Sequence, residues 1–117
     1  RRNAYRYNER LAGIEAITTP AEIDDVKAVY HLYVLRVPAD RRDALQAYLK
    51  ENGIATGIHY PIALPDLKAY GYLGHTTQDF PVASPTAREI VSLPMFPELS
   101  EDQIEYVADK IRTFFAK

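Results

Sequence analysis

Prolines and glycines interrupt this chain so often that only short helices and strands can form between them. The 117 residues include eight prolines and five glycines. A proline lacks the backbone N–H that continues a helix or a sheet ladder, and a glycine readily adopts the left-handed conformation that closes a helix. Gly13 and the pair Asn52-Gly53 are therefore predicted to end two helices, and Pro38 and Pro61 to end two strands.

Three apolar stripes at helical spacing predict three helices. The stripes are Ala4, Tyr7 and Leu11, then Leu45, Tyr48 and Leu49, then Ile104, Val107, Ile111 and Phe114. The first helix is expected to end near Ala12, and Asp40 is expected to cap the second. Ser100 and Gln103 form a capping box in front of the third, which is the strongest local signal in the chain.

Three apolar runs predict strands, at residues 28–37, 54–60 and 91–93. The first run is rich in Tyr, Val and Leu and is apolar on both faces, which is typical of a strand inside a sheet. Ser84, followed by a proline, is expected to cap a further helix, and a short helix is expected within residues 64–73. The resulting order of elements predicts an α/β (α+β) layer sandwich, formed by all 117 residues as a single domain.

Composition and charge exclude several functional classes. A hydrophobic fraction of 47% and a charged fraction of 26% are typical of a soluble globular domain. The net charge of -2 is unsuited to general nucleic-acid binding, which requires many Lys and Arg. The absence of cysteine rules out disulfides and thiolate metal sites and fits a cytoplasmic location. No apolar run approaches the roughly 20 residues that span a membrane, so no membrane contact is expected.

The three histidines do not predict a metal site. His31, His59 and His75 lie on different predicted elements, without close ligand spacing. Because zinc sites draw their ligands from closely spaced pairs, metal binding is not expected. His31, inside the first predicted strand, is expected to be a hydrogen-bonded structural residue, and His75 is expected to lie in an exposed turn.

Three arginines form one basic ridge on the first predicted helix. Arg2, Arg6 and Arg10 recur every four residues, which places them on the same face. Such a ridge can bind an anion, such as a nucleotide diphosphate or a nucleic acid. It can equally be a solvated or interdomain face, and Glu9 and the acidic net charge favour this second interpretation.

Two pairs of side chains stand at constrained points of the chain. His59 and Tyr60 stand where the second predicted strand ends, and strand ends often contact ligands. These groups can hydrogen-bond a sugar hydroxyl or a diphosphate, or His59 can order the loop while the Tyr60 hydroxyl stays in water. Met95 and Phe96 lie between two prolines, so their backbone is stiff. An adaptable thioether and a ring at these positions can fill a seam against another domain.

Segments along nearly the whole chain resemble one family. The most distinctive segments are Gly57-Ile58-His59-Tyr60-Pro61, Asp79-Phe80-Pro81-Val82-Ala83 and Ser92-Leu93-Pro94-Met95-Phe96-Pro97-Glu98-Leu99. The others are Arg6-Tyr7-Asn8-Glu9-Arg10-Leu11, Tyr30-His31-Leu32-Tyr33-Val34, Asn52-Gly53-Ile54-Ala55-Thr56 and Ser100-Glu101-Asp102-Gln103-Ile104. In this order and spacing they are similar to the C-terminal small domain of the DegT/DnrJ/EryC1/StrS family of pyridoxal-phosphate (PLP) sugar aminotransferases. This resemblance implies a small, mostly antiparallel sheet flanked by helices, as in the C-terminal domain of fold-type I PLP aminotransferases.

The resemblance implies a role within a larger enzyme. Members of the family convert a keto-sugar, usually linked to a nucleotide, to an amino-sugar with glutamate or a similar amino acid as donor, and they are generally homodimers. His59, Tyr60, Met95 and Phe96 match segments near the substrate entrance, so they are the candidate substrate-binding residues. The lysine that forms the aldimine with PLP, and the carboxylate that faces the pyridine nitrogen, belong to the preceding large domain.

This chain is therefore expected to be an excised small domain, inactive on its own and without bound PLP. Its lysines are Lys27, Lys50, Lys68, Lys110 and Lys117. None has the sequence context of an aldimine lysine, and all are expected to be solvated. An exposed apolar patch that includes some of Tyr5, Tyr7, Met95 and Phe96 is expected where the large domain would pack.

Two positions depart from the usual pattern of the family. Ala63-Leu64-Pro65 stands where many members read Pro-Leu-His, and Ser84 stands where glutamate is frequent. The substrate is therefore not assigned beyond its class. Two alternatives stay open: a non-catalytic regulatory, ligand-binding or dimerisation module, and a PLP-dependent sugar dehydratase. The upstream sequence separates these interpretations. An aldimine lysine there favours the transferase, and a histidine in its place favours the dehydratase. The lack of any large domain favours the module.

Overall fold

The computed structural model describes residues 1–116, and Lys117 lies outside the described residues. The α-helices in this range are α1 (Arg2–Leu11), α2 (Arg42–Glu51), α3 (Ala83–Glu89) and α4 (Glu101–Phe115). The strands are β1 (Tyr33–Arg36) and β2 (Ile90–Leu93), and 3-10 helices lie at Leu64–Asp66, Lys68–Leu73 and Thr77–Asp79. The short helix expected within residues 64–73 is thus present as two 3-10 helices.

The sheet is small and antiparallel, as expected. β1 pairs with β2, and β2 confirms the strand predicted at residues 91–93. The paired residues are Tyr33 with Leu93, Val34 with Ser92, Leu35 with Val91 and Arg36 with Ile90. Each strand also has one isolated bridge on the side away from its partner strand. Thr18 exchanges backbone hydrogen bonds of 2.8 and 3.0 Å with Arg36 of β1, and Gly57 exchanges backbone hydrogen bonds of 3.1 and 2.7 Å with Ser92 of β2.

The core lies between this sheet and the helices, which confirms the predicted α+β sandwich. The largest fully buried side chains are Tyr7, Tyr33, Leu11, Leu35, Leu45, Leu49, Ile104, Ile111 and Val91. Tyr7 of α1 stacks on Tyr33 of β1, with the ring centroids 4.8 Å apart. The three predicted helical stripes all face this core, although Tyr48 and Phe114 are only partly buried.

Predicted helix ends are confirmed where the signal is local. The Ser100 Oγ accepts a hydrogen bond from the backbone N–H of Gln103 at 3.2 Å, and the Gln103 Oε1 accepts one from the N–H of Ser100 at 2.9 Å. α1 ends at Leu11, two residues before Gly13, whose φ is 80°. α2 ends two residues before Gly53, whose φ is 75°. Each of these signals depends only on residues a few positions apart.

The first long predicted strand is mostly wrong. Of residues 28–37, only Tyr33–Arg36 forms a strand. The Arg1 guanidinium donates a hydrogen bond of 2.6 Å to the carbonyl of Ala28, and the Glu22 carboxylate accepts one of 2.8 Å from the N–H of Ala28. The beginning of this run therefore bonds to side chains from other segments and not to a neighbouring strand.

The second predicted strand is also wrong, apart from one residue. Within residues 54–60, only Gly57 forms a bridge to β2. The backbone N–H of Ile54 bonds to the carbonyl of Leu49 at 2.9 Å, which closes the end of α2. Tyr60 has a positive φ of 66°, which is outside the extended region that a strand requires. Local turn formation at both ends thus overrides the apolar alternation.

Two predicted helix caps are wrong. Asp40 does not cap α2, because the carbonyl of Pro38 accepts hydrogen bonds from Arg41 and Arg42 at 2.9 and 3.1 Å and starts the turn itself. Ser84 does not cap α3, because this helix begins one residue earlier. The Ser84 Oγ is buried and has no hydrogen-bond partner among residues 1–116.

The described part of the chain measures 48 × 37 × 24 Å along its principal axes. Its longest helix, α4, has 15 residues and carries charged side chains on its outer face. Within residues 1–116, no helix combines the length and apolar character needed to cross a membrane.

Candidate functional site

His59 is held by a hydrogen bond to β2. Its Nδ1 lies 2.7 Å from the Oγ of Ser92, a residue that is 4% exposed. Ser92 is held in the sheet, because it exchanges two backbone hydrogen bonds with Gly57 and lies opposite Val34 in the register of β1. The imidazole lies against Gly57, where a Cβ atom would approach the Cε1 of the ring to 3.1 Å. His59 is otherwise exposed, so its Nε2 is left available for a ligand.

Tyr60 presents its side chain to solvent from a strained turn. Its backbone is left-handed, with a φ of 66°, and the residue is 77% exposed. A bulky residue rarely adopts this conformation, which costs on the order of 1 to 3 kcal/mol. Such backbone outliers occur preferentially at ligand-binding sites. The turn therefore supports Tyr60 as a candidate contact, although no sequence signal predicted its backbone conformation.

α1 holds the turn that carries Met95 and Phe96. The Tyr7 hydroxyl donates a hydrogen bond of 3.0 Å to the carbonyl of Pro94, and the Asn3 Nδ2 donates one of 3.1 Å to the carbonyl of Phe96. Both donor residues are buried. Met95 packs partly against the core, whereas Phe96 is 44% exposed. Two buried hydrogen bonds thus fix the backbone from which these side chains project.

Met95 and Phe96 border an open cleft of about 530 Å³. The other residues that line this cleft are Arg1, Arg2, Asn3, Val29, Tyr30, His31 and Pro97. Arg1, Arg2 and His31 line the cleft, and within residues 1–116 no lining residue is a carboxylate. Glu22 pairs with Arg1, so Arg2 carries the positive charge that favours an anion. The Asn3 Oδ1 is buried and has no hydrogen-bond partner among residues 1–116. The cleft thus combines positive charge with an apolar wall.

The four candidate site residues do not all line this cleft. Met95 and Phe96 do, whereas His59 and Tyr60 do not. The two pairs are connected through β2, because Ser92 holds His59 and precedes Met95 by three residues. A displacement of β2 would therefore move both pairs together.

His31 is the residue that the sequence assigned wrongly. It was expected to be a structural residue inside a strand, but it is exposed and lies before β1, on the wall of the cleft. The preceding residue, Tyr30, has a positive φ of 50°, which turns the chain out of the extended direction. A polar side chain within an otherwise apolar run was the only sequence signal for this exposure.

The basic ridge of α1 is used mainly within the fold. Arg6 lies 3.0 Å from the Glu101 carboxylate, and Arg10 contacts both Glu101, at 3.6 Å, and Glu105. These partners belong to α4, so the ridge joins the two helices at their surface. Only Arg2 of the three arginines lines the cleft. The interpretation of the ridge as an anion site is therefore not supported for Arg6 and Arg10.

Arg1 is held in place by a small polar network. Its guanidinium pairs with Glu22, and the Tyr5 hydroxyl donates a hydrogen bond of 2.9 Å to the same carboxylate. The hydrogen bond from Arg1, followed by those from the Ala28 N–H and from Tyr5, holds the pKa of Glu22 below its ordinary value. The hydrogen bond to Glu22 raises the pKa of Tyr5. This network pins the segment around Ala28 to the start of α1.

The lysines of residues 1–116 do not fit a PLP site. Lys27, Lys50 and Lys68 are exposed, and the Lys110 ammonium lies 5.1 Å from the ring centroid of Tyr106. None of them lines the cleft. PLP enzymes hold the cofactor through a lysine amine, and the expectation that this chain binds no PLP on its own stays a prediction. Residues 1–116 also contain no group of three or more His, Asp or Glu side chains that could hold a metal ion.

Exposed apolar side chains are concentrated in two segments, residues 23–29 and 60–73. The side chains are Ile23, Val26, Val29, Tyr60, Ile62, Leu64, Tyr70, Tyr72 and Leu73. Of the residues expected in an exposed patch, Tyr5 and Phe96 are 40% and 44% exposed, but Tyr7 is fully buried. The expectation for Tyr7 is wrong because its ring stacks within the core. Concentrated apolar exposure commonly marks an interaction surface.

The fold is that of a domain of known aminotransferase-like proteins. A crystal structure of DesV from S. venezuelae, in complex with a ketimine intermediate, superimposes with a TM-score of 0.91 and 33% identity. The superposition covers 99% of this chain and 31% of that chain. The model of the DegT/DnrJ/EryC1/StrS aminotransferase family matches residues 1–112. This chain therefore belongs to the DegT/DnrJ/EryC1/StrS aminotransferase family, which confirms the resemblance found in the sequence.

Two curated relatives extend this comparison. A pleiotropic regulatory protein of Geobacillus stearothermophilus is 43% identical over 98% of this chain and 31% of its own length. A dTDP-3-amino-3,6-dideoxy-alpha-D-galactopyranose transaminase of Aneurinibacillus thermoaerophilus is 38% identical over 84% of this chain and 26% of its own length. The chain thus spans less than a third of the length of the proteins that it matches.

Proposed function

We propose that this chain is the C-terminal small domain of a PLP-dependent aminotransferase that converts a nucleotide-linked keto-sugar to an amino-sugar. The observation that carries the proposal is the family match over residues 1–112. The transaminase relative from Aneurinibacillus thermoaerophilus, named for a dTDP-linked amino-sugar, supports the nucleotide-sugar class. The short share of the relatives' length supports a division of labour between this domain and a larger N-terminal domain.

In this division of labour, the large domain holds PLP and this domain forms part of the substrate pocket. The absence of a suitably placed lysine among residues 1–116 supports this assignment. When bound, PLP supplies the electron sink that amino transfer requires. The donor amino acid, glutamate or a similar one, loses its amino group and leaves as a 2-keto acid, and the ketone carbon of the sugar gains that amino group. Residues 1–117 alone are therefore inactive.

The cleft residues bind the two ends of a nucleotide sugar differently. Arg2 and His31 face the diphosphate, because Arg2 carries positive charge and no lining residue within residues 1–116 is a carboxylate. Met95 and Phe96 contact the apolar face of a sugar or base ring from their stiff turn. The attraction between the positive side chain of the cleft and the negative diphosphate, together with the apolar wall, would orient the substrate along the cleft.

His59 and Tyr60 complete the substrate pocket from the other edge of β2. The His59 Nε2 and the Tyr60 hydroxyl are polar atoms on exposed side chains, and the Nδ1 of His59 is already engaged by Ser92. Such groups suit the hydroxyl or ketone oxygens of a sugar. The positive φ at Tyr60 supports this role, since strained backbone is kept where it serves a ligand.

The exposed apolar segments 23–29 and 60–73 pack against the large domain or against the second subunit of a cytoplasmic homodimer. Side chains such as Val29 and Tyr72, which are 82% and 81% exposed, would lose most of this exposure in such a contact. Burial of apolar area stabilises the contact by roughly 25 cal/mol per Å². The composition without cysteine suits a reducing compartment.

The proposal is tested by comparing residues 1–117 with the longer polypeptide that carries them. PLP added to the longer protein should give the visible absorbance of lysine-bound cofactor, and the short chain should not. The longer protein should also convert a dTDP-linked keto-hexose and glutamate to the amino-sugar and 2-oxoglutarate. Lys50→Ala is the matched control, because Lys50 is exposed and should not change either signal. If residues 1–117 by themselves gave the visible absorbance of lysine-bound PLP, the proposal would be contradicted.

A second candidate is a regulatory protein without transferase activity. It is favoured by one observation, the name and 43% identity of the Geobacillus stearothermophilus relative. In that case the longer protein would bind a nucleotide sugar without forming 2-oxoglutarate. A histidine in place of the upstream lysine, with loss of water from the sugar in the assay, would instead indicate the dehydratase.

A further inference from the structure

We infer that Ser92 and Gly57 are positioning residues that fix both the orientation and the protonated nitrogen of His59, so that its Nε2–H faces the substrate. This inference rests on the proposed function for the contact with substrate. The positioning itself rests on the geometry around the imidazole. Ser92 and Gly57 touch no substrate in this assignment, since both act through His59.

Ser92 is a fixed anchor for the ring. It is 4% exposed, and its side-chain oxygen lies 2.7 Å from the His59 Nδ1. Its backbone N–H and carbonyl both bond to Gly57, at 2.7 and 3.1 Å, and Val34 lies opposite it in the register of β1. A hydroxyl whose backbone is held in the sheet in this way cannot follow the ring if the ring moves. The hydrogen bond therefore sets the position of the imidazole relative to β2.

The same hydrogen bond sets which nitrogen carries the proton. The Ser92 Oγ has no other hydrogen-bond partner among residues 1–116, and a buried hydroxyl hydrogen without an acceptor is costly. The Ser92 hydroxyl therefore donates to Nδ1, and the neutral imidazole of His59 keeps its proton on Nε2. His59 thus offers a donor to an acceptor oxygen, such as a ketone, hydroxyl or phosphate oxygen of the substrate.

Gly57 provides the space that this orientation needs. A Cβ atom at this position would lie 3.1 Å from the Cε1 and 3.5 Å from the Nδ1 of His59. The first distance is shorter than an ordinary carbon contact, so a methyl group would displace the ring by a few tenths of an ångström from its position against Ser92. Gly57 does not have a positive φ, unlike Gly13, Gly53 and Gly74, so its requirement is for space and not for backbone freedom.

The variants Ser92→Ala and Ser84→Ala form a matched pair. Both serines are 4% exposed, but the Ser84 Oγ has no hydrogen-bond partner among residues 1–116, whereas the Ser92 Oγ bonds to His59. In the longer polypeptide, dTDP-glucose binding should weaken roughly two- to tenfold in Ser92→Ala, which corresponds to the loss of one hydrogen bond. Ser84→Ala should bind as the wild type does, and Ser92→Thr, which keeps the hydroxyl, should restore binding.

The decisive measurement is the same substitution in a His59→Ala background. If Ser92 acts through His59, then Ser92→Ala should cause no further loss of binding there, and Gly57→Ala likewise. An equal loss in both backgrounds would overturn the inference. If His59→Ala leaves binding unchanged, the proposed substrate contact fails. The side-chain ¹⁵N shifts of His59 then test positioning alone: Ser92→Ala should change the balance between Nδ1–H and Nε2–H, and an unchanged balance would refute it.

Discussion

The Tyr7 hydroxyl should be worth more to stability than the Tyr33 hydroxyl, although the two rings belong to the same buried stack. Both residues are fully buried, and their ring centroids lie 4.8 Å apart. Burial raises the pKa of both phenols, so both act as neutral donors. Tyr7 donates to the carbonyl of Pro94 at 3.0 Å, and Tyr33 donates to the Asn8 Oδ1 at 2.6 Å. The two acceptors differ in one respect, their freedom to move.

Tyr7→Phe should cost about 1 to 2 kcal/mol of unfolding free energy. A net hydrogen bond contributes about 1 kcal/mol, and the carbonyl of Pro94, fixed in the backbone between neighbouring residues, cannot turn to find another donor. Tyr33→Phe should cost about 0.5 kcal/mol less, because the half-buried side chain of Asn8 can rotate toward water. The ring stack and the buried apolar area remain in both variants.

The measurement is urea unfolding of both variants and the wild type, followed by far-UV circular dichroism. If the variants differ in the urea concentration at the midpoint but share the same dependence of unfolding free energy on urea, the differences arise in the native state. The double variant Tyr7→Phe/Tyr33→Phe measures the coupling between the two hydroxyls, because residues whose rings are in contact commonly deviate from additivity. A loss for Tyr33→Phe equal to or greater than that for Tyr7→Phe would refute the reasoning about the Pro94 carbonyl.

Two further predictions concern the backbone and the pH dependence of folding. Gly53→Ala should lower the free energy of unfolding by about 1 kcal/mol, because the φ of Gly53 is 75°. Gly71 has no positive φ, and no atom lies within 4 Å of a Cβ built on it. Gly71→Ala should therefore be neutral or stabilising, and calorimetry measures both variants. The pKa of Glu22 is lowered from 4.5, so its contribution is present above pH 4.5 and is lost as the pH falls through the lowered value. Glu22→Gln should therefore flatten the acid side of the stability profile; parallel profiles for variant and wild type would show that the contact with Arg1 contributes nothing.

Local sequence signals predicted the ends of helices well and the strands poorly. The capping box at Ser100 and the glycine stop at Gly53 each require only neighbouring residues, and both are present. The strand predicted over residues 28–37 failed at its start because the side chains of Arg1, 27 positions away, and Glu22, six positions away, bind the backbone of Ala28. An apolar run cannot reveal that such side chains compete with a neighbouring strand.

The candidate site shows the same division. His59, Tyr60, Met95 and Phe96 were identified by their resemblance to family segments, and they remain the proposed substrate contacts. The sequence did not predict that Ser92 would bind His59, because the two residues are 33 positions apart.

The sequence by itself determined the family, the helix faces and the helix ends at Gly13, Gly53 and Ser100, because these depend on residue order and on spacing within a few turns. Only the tertiary structure decided which polar groups meet. It buried Tyr7 and aimed its hydroxyl at Pro94, exposed His31 in a cleft, and left the Ser84 Oγ without a hydrogen-bond partner in the described part of the chain. The physical reason is that hydrogen bonds act over about 3 Å. Such contacts between distant segments exist only after the helices and the sheet have packed together.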